Sequence, residues 1–170
     1  MKPRYLLFSL SIIALLGLAV VSARAGSDSD QQATNWGNSV QGVQLSITMT
    51  NNVFQVGSSS AVESVITNSS TNAITVDISA PTIDFDVLLI SDTGKLYDIT
   101  TPLKIRELSI PVMINPGEEK SESIPVTFGA TRFGNAVEPG DYTLKAKRTF
   151  SSSDGKFTLE SNSIKVTITK

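Results

Sequence analysis

Two aspartates are the acidic residues whose spacing best suits chemistry. Asp84 and Asp86 flank Phe85, and side chains two residues apart on a β-strand share a face, roughly 7 Å from each other. Paired carboxylates at such a separation suit acid–base catalysis or the binding of a cation. The neighbouring sequence supplies no further oxygen ligands of a calcium loop, so a solvated strand edge is the favoured interpretation.

The absence of two residue types restricts the possible reactions. The chain contains no histidine and no cysteine, so the Ser-His-Asp and Cys-His arrangements cannot be built. Common zinc sites also lose their usual ligands. We therefore expect no catalytic, cofactor-binding or metal-ligating residues and no cofactor. A hydrolase that relies on carboxylates alone remains the disfavoured enzymatic alternative.

A basic group lies in the stretch EPGDYTLKAKRTF, residues 138–150. Apolar residues alternate there with polar ones, which places Lys145 and Lys147 on the wet face of a strand. These lysines either contact an acidic partner or simply discourage edge-to-edge aggregation. Arg148 falls on the apolar face, where we expect it to reach solvent at the rim. Glu122 is expected on the surface, in a strand beside Lys120 and opposite a cation on the neighbouring strand.

The first 25 residues have the three parts of a secretory signal. Lys2 and Arg4 precede an apolar run of 16 residues, and Ala23 and Ala25 form the small-x-small arrangement that a signal peptidase needs. Cleavage after Ala25 predicts a secreted or periplasmic protein that has no membrane segment once the signal is removed. An uncleaved membrane anchor is the alternative.

The charge of the mature chain disfavours two classes of partner. The chain has 14 basic and 16 acidic residues, and Lys2, Arg4 and Arg24 lie in the signal together with no acid. Eleven basic residues then face 16 acidic ones, which leaves a net charge of −5. An acidic protein is a poor ligand for nucleic acid or anionic membranes, because both attract net positive charge.

The mature chain divides into a leader and one domain. Residues 26–41 are polar and aperiodic and are interpreted as a flexible leader, in which Trp36 caps the core or offers a stacking surface. From residue 42 to residue 170 hydrophobicity alternates with period two between turn signals, and we find no amphipathic helix. The pattern predicts an all-β domain, an immunoglobulin-like antiparallel β-sandwich of seven to nine strands.

Residues at the start of one strand support this fold. Pro139 and Gly140 lead into Tyr142, the arrangement of a tyrosine corner, in which the hydroxyl bonds to a nearby backbone group. These three residues are therefore assigned structural roles. Asn68 begins an N-x-S glycosylation pattern, but a turn is the favoured interpretation.

Several motifs resemble those of BsuPI-type domains, a family of intracellular proteinase inhibitors. They are VITNSST, DFDVLLISDTGKLYD, INPGEEKSESIPV, VEPGDYTLKA and SNSIKVTIT, which span residues 65–169. The opening WGNSVQGVQLSIT is similar to the first strand of immunoglobulin-like modules in exported bacterial proteins. The resemblance implies an immunoglobulin-like sandwich and, as an alternative function, proteinase inhibition.

Together these observations favour a non-catalytic binding module that presents loops or a sheet edge to a partner. The candidate contact surfaces are the loop 101–110, the loop 129–141 with Arg132 and Phe133, and Trp36, together with Lys145 and Lys147. A protein or an envelope polymer is the expected partner. A proteinase inhibitor, a carboxylate-dependent hydrolase and a structural spacer remain the alternatives.

Overall fold

The computed structural model describes residues 35–102, 109–152 and 155–170. The predicted signal 1–25 and the leader up to residue 34 lie outside these residues, as do residues 103–108 of the loop 101–110. Within the described ranges, no helix has the length and hydrophobicity needed to cross a membrane.

Eleven strands and one helical turn form the described domain. The strands are β1 Val43–Thr48, β2 Val53–Gln55, β3 Ser58–Asn68, β4 Ile74–Ile78, β5 Phe85–Ser91, β6 Leu96–Asp98, β7 Ile110–Ile114, β8 Glu119–Phe128, β9 Gly140–Ser152, β10 Gly155–Glu160 and β11 Ile164–Thr169, and the helical turn is α1 Pro81–Asp84. The number exceeds the seven to nine strands predicted because β2 and β7 are short and lack clear alternation.

The strands pair as an immunoglobulin-like sandwich. One sheet has the order β1-β3-β8, and a six-stranded sheet has the order β2-β11-β9-β5-β6, with β10 also paired to β9. These match strands A, B and E in one sheet and G, F, C and C′ in the other. All pairs are antiparallel except β2 with β11. A separate two-stranded sheet pairs β4 with β7.

Alternating side chains from all three sheets fill one core. In β9 the apolar side chains from Tyr142 to Ala146 point inward, while those of Lys145 and Lys147 lie on the opposite face. The two main sheets meet through stacked rings of Phe54 and Phe128, whose centroids are 4.0 Å apart. The core contains no cysteine. Side-chain packing therefore holds the two sheets together without the inter-sheet disulfide found in antibody domains.

One open side of the sandwich is closed by the chain that follows β6. The amide of Ile99 donates to Val87 O at 2.8 Å in the six-stranded sheet, while Ile99 O accepts the amide of Thr127 in β8 at 3.2 Å. The amide of Thr101 then donates to Pro125 O at 3.0 Å. The edge of β8 around Pro125 is therefore partly covered.

The other side is closed at β1 by residues that the sequence analysis placed in the leader. The amide of Gly37 donates to Leu45 O, and Val40 bridges to Val43. The side-chain amide of Asn162 completes this edge with bonds of 2.7 and 3.1 Å to the N–H and C=O of Ile47. Gly37 and Val40, which the prediction placed in the leader, are therefore bonded to β1.

Asn68 joins three segments from inside the protein. Its side chain is fully buried and donates to Asn72 O at 2.8 Å and to Ile114 O at 2.9 Å. Its Oδ1 accepts the amide and the hydroxyl of Ser70. Because every polar group of this amide is used, Asn68 has the turn-forming role that the sequence favoured over a glycan acceptor.

Turn chemistry fixes the connection between β7 and β8. The amide of Glu118 donates to Asn115 O at 2.9 Å across Pro116 and Gly117. Gly117 has a φ of 74°, which the third position of a type II turn requires. The Glu118 carboxylate accepts the amide of Asn115 and pairs with Lys120, and the amide of Asn115 holds the pKa of Glu118 below its usual value.

The start of β9 has the geometry of a tyrosine corner. The hydroxyl of Tyr142 donates to Glu138 O at 2.7 Å, and burial raises the pKa of this phenol. Its ring packs edge-on against Tyr97 with centroids 5.9 Å apart. Pro139 is exposed just before the strand, and Gly140 opens it opposite Ile168.

The hydrogen bond of Tyr142 yields a testable prediction for stability. Tyr142→Phe keeps the ring but leaves Glu138 O without its donor, so the free energy of unfolding should fall by about 1 kcal/mol. Urea denaturation followed by circular dichroism measures this change. Tyr97→Phe is the matched control, and an equal stability of both variants would contradict the corner assignment.

Candidate interaction site

Residues 129–137 form a small, well-bonded hairpin between β8 and β9. The amide of Val137 donates to Gly129 O at 3.0 Å, and Ala130 bridges to Ala136. Nearer the tip, the amide of Thr131 donates to Asn135 O at 2.8 Å. The segment that the sequence predicted to be a loop is therefore an ordered projection, which we call the 129–137 hairpin.

Phe133 projects from the tip of this hairpin. The tip is a β-turn in which the amide of Gly134 donates to Thr131 O at 2.9 Å, and Gly134 takes a φ of 82°. Phe133 stands at the third position of the turn and is 80% exposed. No other large apolar side chain among the described residues is as exposed.

Arg132 turns the opposite way and fastens the hairpin to the six-stranded sheet. Its amide donates to Asp98 O at 2.7 Å, and its Nη2 donates to Phe85 O at 2.8 Å. The guanidinium also forms ion pairs at 3.2 Å with the carboxylates of Asp86 and Asp98. Arg132 is thus largely occupied within the protein and positions Phe133.

A second arginine lies in the core, where the sequence analysis expected it to reach solvent. Arg148 is fully buried on the inner face of β9. Its Nη2 pairs with Asp84 of α1 at 3.0 Å, and its Nη1 pairs with Glu122 of β8. The expectation of a rim position for Arg148 and of a surface position for Glu122 is wrong, because the two charges satisfy each other between the sheets.

Two aromatic rings enclose this buried guanidinium. Its central carbon lies 4.6 Å from the ring centroid of Phe85 and 4.7 Å from that of Phe150. Both contacts favour a cation and add about 2 kcal/mol each where water is excluded. The Nε of Arg148 has no hydrogen-bond partner among the described residues, so its charge depends on the two carboxylates and the two rings.

The segment Asp84-Phe85-Asp86 joins the two arginines. Asp84 binds Arg148, whereas Asp86 binds Arg132. Phe85 contributes to both sites, since its ring faces Arg148 and its carbonyl accepts from Arg132. Three consecutive residues therefore connect the buried charge to the exposed hairpin.

The two aspartates consequently do not form a paired acidic site. Asp84 ends α1, is mostly buried and also accepts the amide of Ser79 at 2.7 Å. Asp86 lies on β5 and is exposed, as expected of a solvated strand. The prediction of a shared strand edge is wrong for Asp84, because Pro81 begins a helical turn that moves it off the strand. In the described ranges, no group of three or more metal-ligating residues occurs.

The remaining predicted contact residues lie elsewhere. Lys145 and Lys147 occupy the outer face of the six-stranded sheet, opposite Leu88 and Asp86 on β5. Trp36 is half-buried beside Gly37, in the segment bound to β1. The structure therefore does not bring Trp36 to the hairpin. The hairpin follows β8, which lies at the opposite edge of the three-stranded sheet from β1.

Sequence reasoning missed the roles of Arg148 and Glu122, although strand parity carries a signal for both. Arg148 falls in register with the inward residues Tyr142 and Phe150 of β9, and Glu122 falls in register with inward Ile124 of β8. Opposite charges at inward positions of two facing strands predict a buried ion pair. The sequence of either strand alone does not reveal this ion pair.

Comparison with known proteins finds only distant structural similarity. The sequence matches no known family model and no curated protein, so the resemblance to BsuPI-type domains stays a hypothesis. A β-glucosidase from Listeria innocua in complex with laminaribiose is similar at 19% identity and a TM-score of 0.42, over 75% of this chain and 16% of that one.

Two further structures show similarity at the same level. The sporulation control protein Spo0M from Bacillus subtilis has 9% identity and a TM-score of 0.45, over 77% of this chain and 51% of that protein. A PapD-like domain of human CEP192 has 13% identity and a TM-score of 0.34, over 76% of this chain and 85% of that domain. At these scores the similarities carry no inference about function.

Removal of the buried cation tests the cluster that Arg148 forms with Asp84 and Glu122. Arg148→Met leaves Asp84 and Glu122 without their cation, so the free energy of unfolding should fall by about 3–5 kcal/mol. Addition of Asp84→Asn and Glu122→Gln should restore most of this loss, because no buried charge then remains. Denaturant titration measures both variants. Lys147→Met removes a cation from an exposed pair and is the control, with an expected loss of at most about 1 kcal/mol. A similar loss in Arg148→Met and Lys147→Met would contradict the buried ion pair.

The exposed ion pair between Lys147 and Glu160 is tested by a pH titration. Lys147 lies 2.6 Å from Glu160 and, with a smaller contribution from Lys145, holds the pKa of Glu160 below its usual value. The pair therefore stabilises the protein above the unfolded pKa of a glutamate, and this stabilisation is lost as pH falls through the lower folded pKa. Lys147→Met should raise the pKa of Glu160 in an NMR titration and leave that of Glu118 unchanged. No change at Glu160 would show that the pair does not form in solution.

Proposed function

We propose that this chain is an exported, non-catalytic interaction module that binds a protein partner through the 129–137 hairpin. The observation that carries the proposal is an aromatic side chain, Phe133, that is 80% exposed on an ordered projection. Exposed aromatic residues are frequent anchors of protein interfaces, where a few side chains supply most of the binding energy.

The hairpin supports this function because it is held in place before any partner arrives. Backbone bonds tie Thr131 to Asn135 and Val137 to Gly129, and the side chain of Arg132 fixes the tip to the sheet. A loop that is already ordered loses little conformational entropy on binding. Phe133 is therefore available as a rigid contact.

The proposal that the module is non-catalytic rests on the use of its acids. Asp84, Asp86, Asp98 and Glu122 each bind an arginine, and the chain has no histidine or cysteine to supply another nucleophile or base. Export rests on the signal-like first 25 residues. Proteinase inhibition is the specific alternative, and the rigid hairpin with its exposed aromatic residue is the feature that favours it.

Truncation of the anchor tests the proposed function. Residues 26–170 carrying Phe133→Ala should recover a partner from culture supernatant or envelope extract at roughly 30-fold lower affinity than wild type, as expected of an interface anchor. Its melting temperature should not change, because Phe133 contacts little of the core. Titration of the isolated partner measures the affinity.

Val53→Ala is the matched control, since Val53 is also exposed but lies on β2 at the opposite edge of the six-stranded sheet. Equal affinity of the Phe133→Ala and Val53→Ala variants would contradict the proposal. A partner that is a polysaccharide would contradict the choice of a protein. Inhibition of a chymotrypsin-like protease that is lost with Phe133→Ala would instead establish the alternative.

A further inference from the structure

The outer face of the six-stranded sheet continues from the hairpin toward a group of apolar and basic side chains. Leu88 and Ile90 of β5 point outward beyond Asp86, and Leu96 of β6 lies directly opposite Ile90. Leu96 is 59% exposed. Three apolar side chains therefore form a strip beside the site where Arg132 binds Asp86.

Two lysines lie on the next two strands of the sheet, β9 and β11. Lys145 of β9 lies opposite Leu88, and Thr143, two residues away on the same face, lies opposite Ile90. Lys165 of β11 lies opposite Thr143 and donates a hydrogen bond of 2.9 Å to its hydroxyl. Neighbouring strands are about 4.8 Å apart, so both ammonium groups lie within reach of one ligand on the strip. We call Leu88, Ile90, Leu96, Lys145 and Lys165 the lysine–leucine face.

Among the described residues, the two lysines of the lysine–leucine face lack the ion pairs that the basic residues around them form. Arg132 is bound by Asp86 and Asp98, and Lys147 is bound by Glu160. Lys145 and Lys165, by contrast, have no ion-pair partner in the part of the chain that the structure describes. A protein with an excess of acidic residues thus carries, beside a partly exposed apolar strip, two cations without an ion-pair partner among its described residues.

We propose that the lysine–leucine face binds a protein segment that carries carboxylates next to apolar side chains. This inference rests on the proposed function, because it names the chemistry of the partner that the hairpin binds. The apolar side chains would pack on Leu96 and its neighbours, and the carboxylates would pair with the ammonium groups of Lys145 and Lys165. Such complementarity provides specificity and fast association.

Two other anionic partners fit the face less well. Membrane attraction is about 1 kcal/mol for each basic residue near an anionic surface, so two lysines give weak binding. Nucleic-acid affinity requires several phosphate contacts, which the chain's negative net charge opposes. The partly exposed apolar strip, by contrast, suits an apolar ligand. A mixed acidic and apolar peptide satisfies both features of the face.

Selection from a library of random dodecapeptides displayed on phage tests this inference without a known partner. The wild-type protein, residues 26–170, should enrich peptides in which Asp or Glu alternates with Leu, Ile or Phe. The double variant Lys145→Glu and Lys165→Glu should bind the selected peptides at least about tenfold more weakly, because attraction becomes repulsion. Lys156→Glu, at an exposed position of β10 away from the strip, should bind them as wild type does.

The outcomes separate this inference from the proposed function. If acidic peptides bind equally to the double charge-reversal variant but are lost with Phe133→Ala, the hairpin binds and the lysine–leucine face does not. Absence of any acidic enrichment, or enrichment of basic peptides, would also overturn the inference. Sedimentation with phosphatidylserine vesicles is measured in parallel, and binding to vesicles without binding to peptides would replace the protein partner with a membrane. Unchanged melting temperatures show that the variants fold.

Discussion

The buried guanidinium of Arg148 is the constraint on which the rest of the structure depends. A charge removed from water is costly unless it is paired, so both Asp84 and Glu122 must be brought to it from α1 and β8. Once Asp84 is held, the next two residues are fixed as well. Phe85 stacks on Arg148 and its carbonyl meets Arg132, so the interior charge determines where the exposed hairpin sits.

A domain without disulfides also needs protected edges. The chain after β6 crosses to β8 through Ile99, and the side chain of Asn162 takes the place of a strand beside β1. These contacts satisfy backbone groups that would otherwise pair with another molecule. Among the side-chain surfaces of the described residues, we assign binding to the tip at Phe133 and to the outer face of the six-stranded sheet.

Period-two hydrophobicity predicted the immunoglobulin-like fold, because alternation reports directly on which face of a strand is dry. Local chemistry likewise indicated the turn at Gly117 and the corner at Tyr142, since both depend on neighbouring residues. The buried cluster depends on residues 64 and 26 positions apart, Asp84 and Glu122 relative to Arg148, and a single strand does not reveal such a pairing. The loop 129–141 was identified from the sequence, but its ordered hairpin was not, since the clamp joins Arg132 to two other strands.

The most direct test of this account is an NMR measurement of the arginine side chains in residues 26–170. Guanidinium groups that are exposed exchange protons rapidly with water, whereas enclosed and ion-paired groups exchange slowly. The structure predicts slow-exchanging Nε–H and Nη–H signals for Arg148, shifted by the rings of Phe85 and Phe150, and an intermediate protection for Arg132. Rapid exchange and unshifted signals for Arg148 would contradict the buried charge on which the position of the hairpin rests.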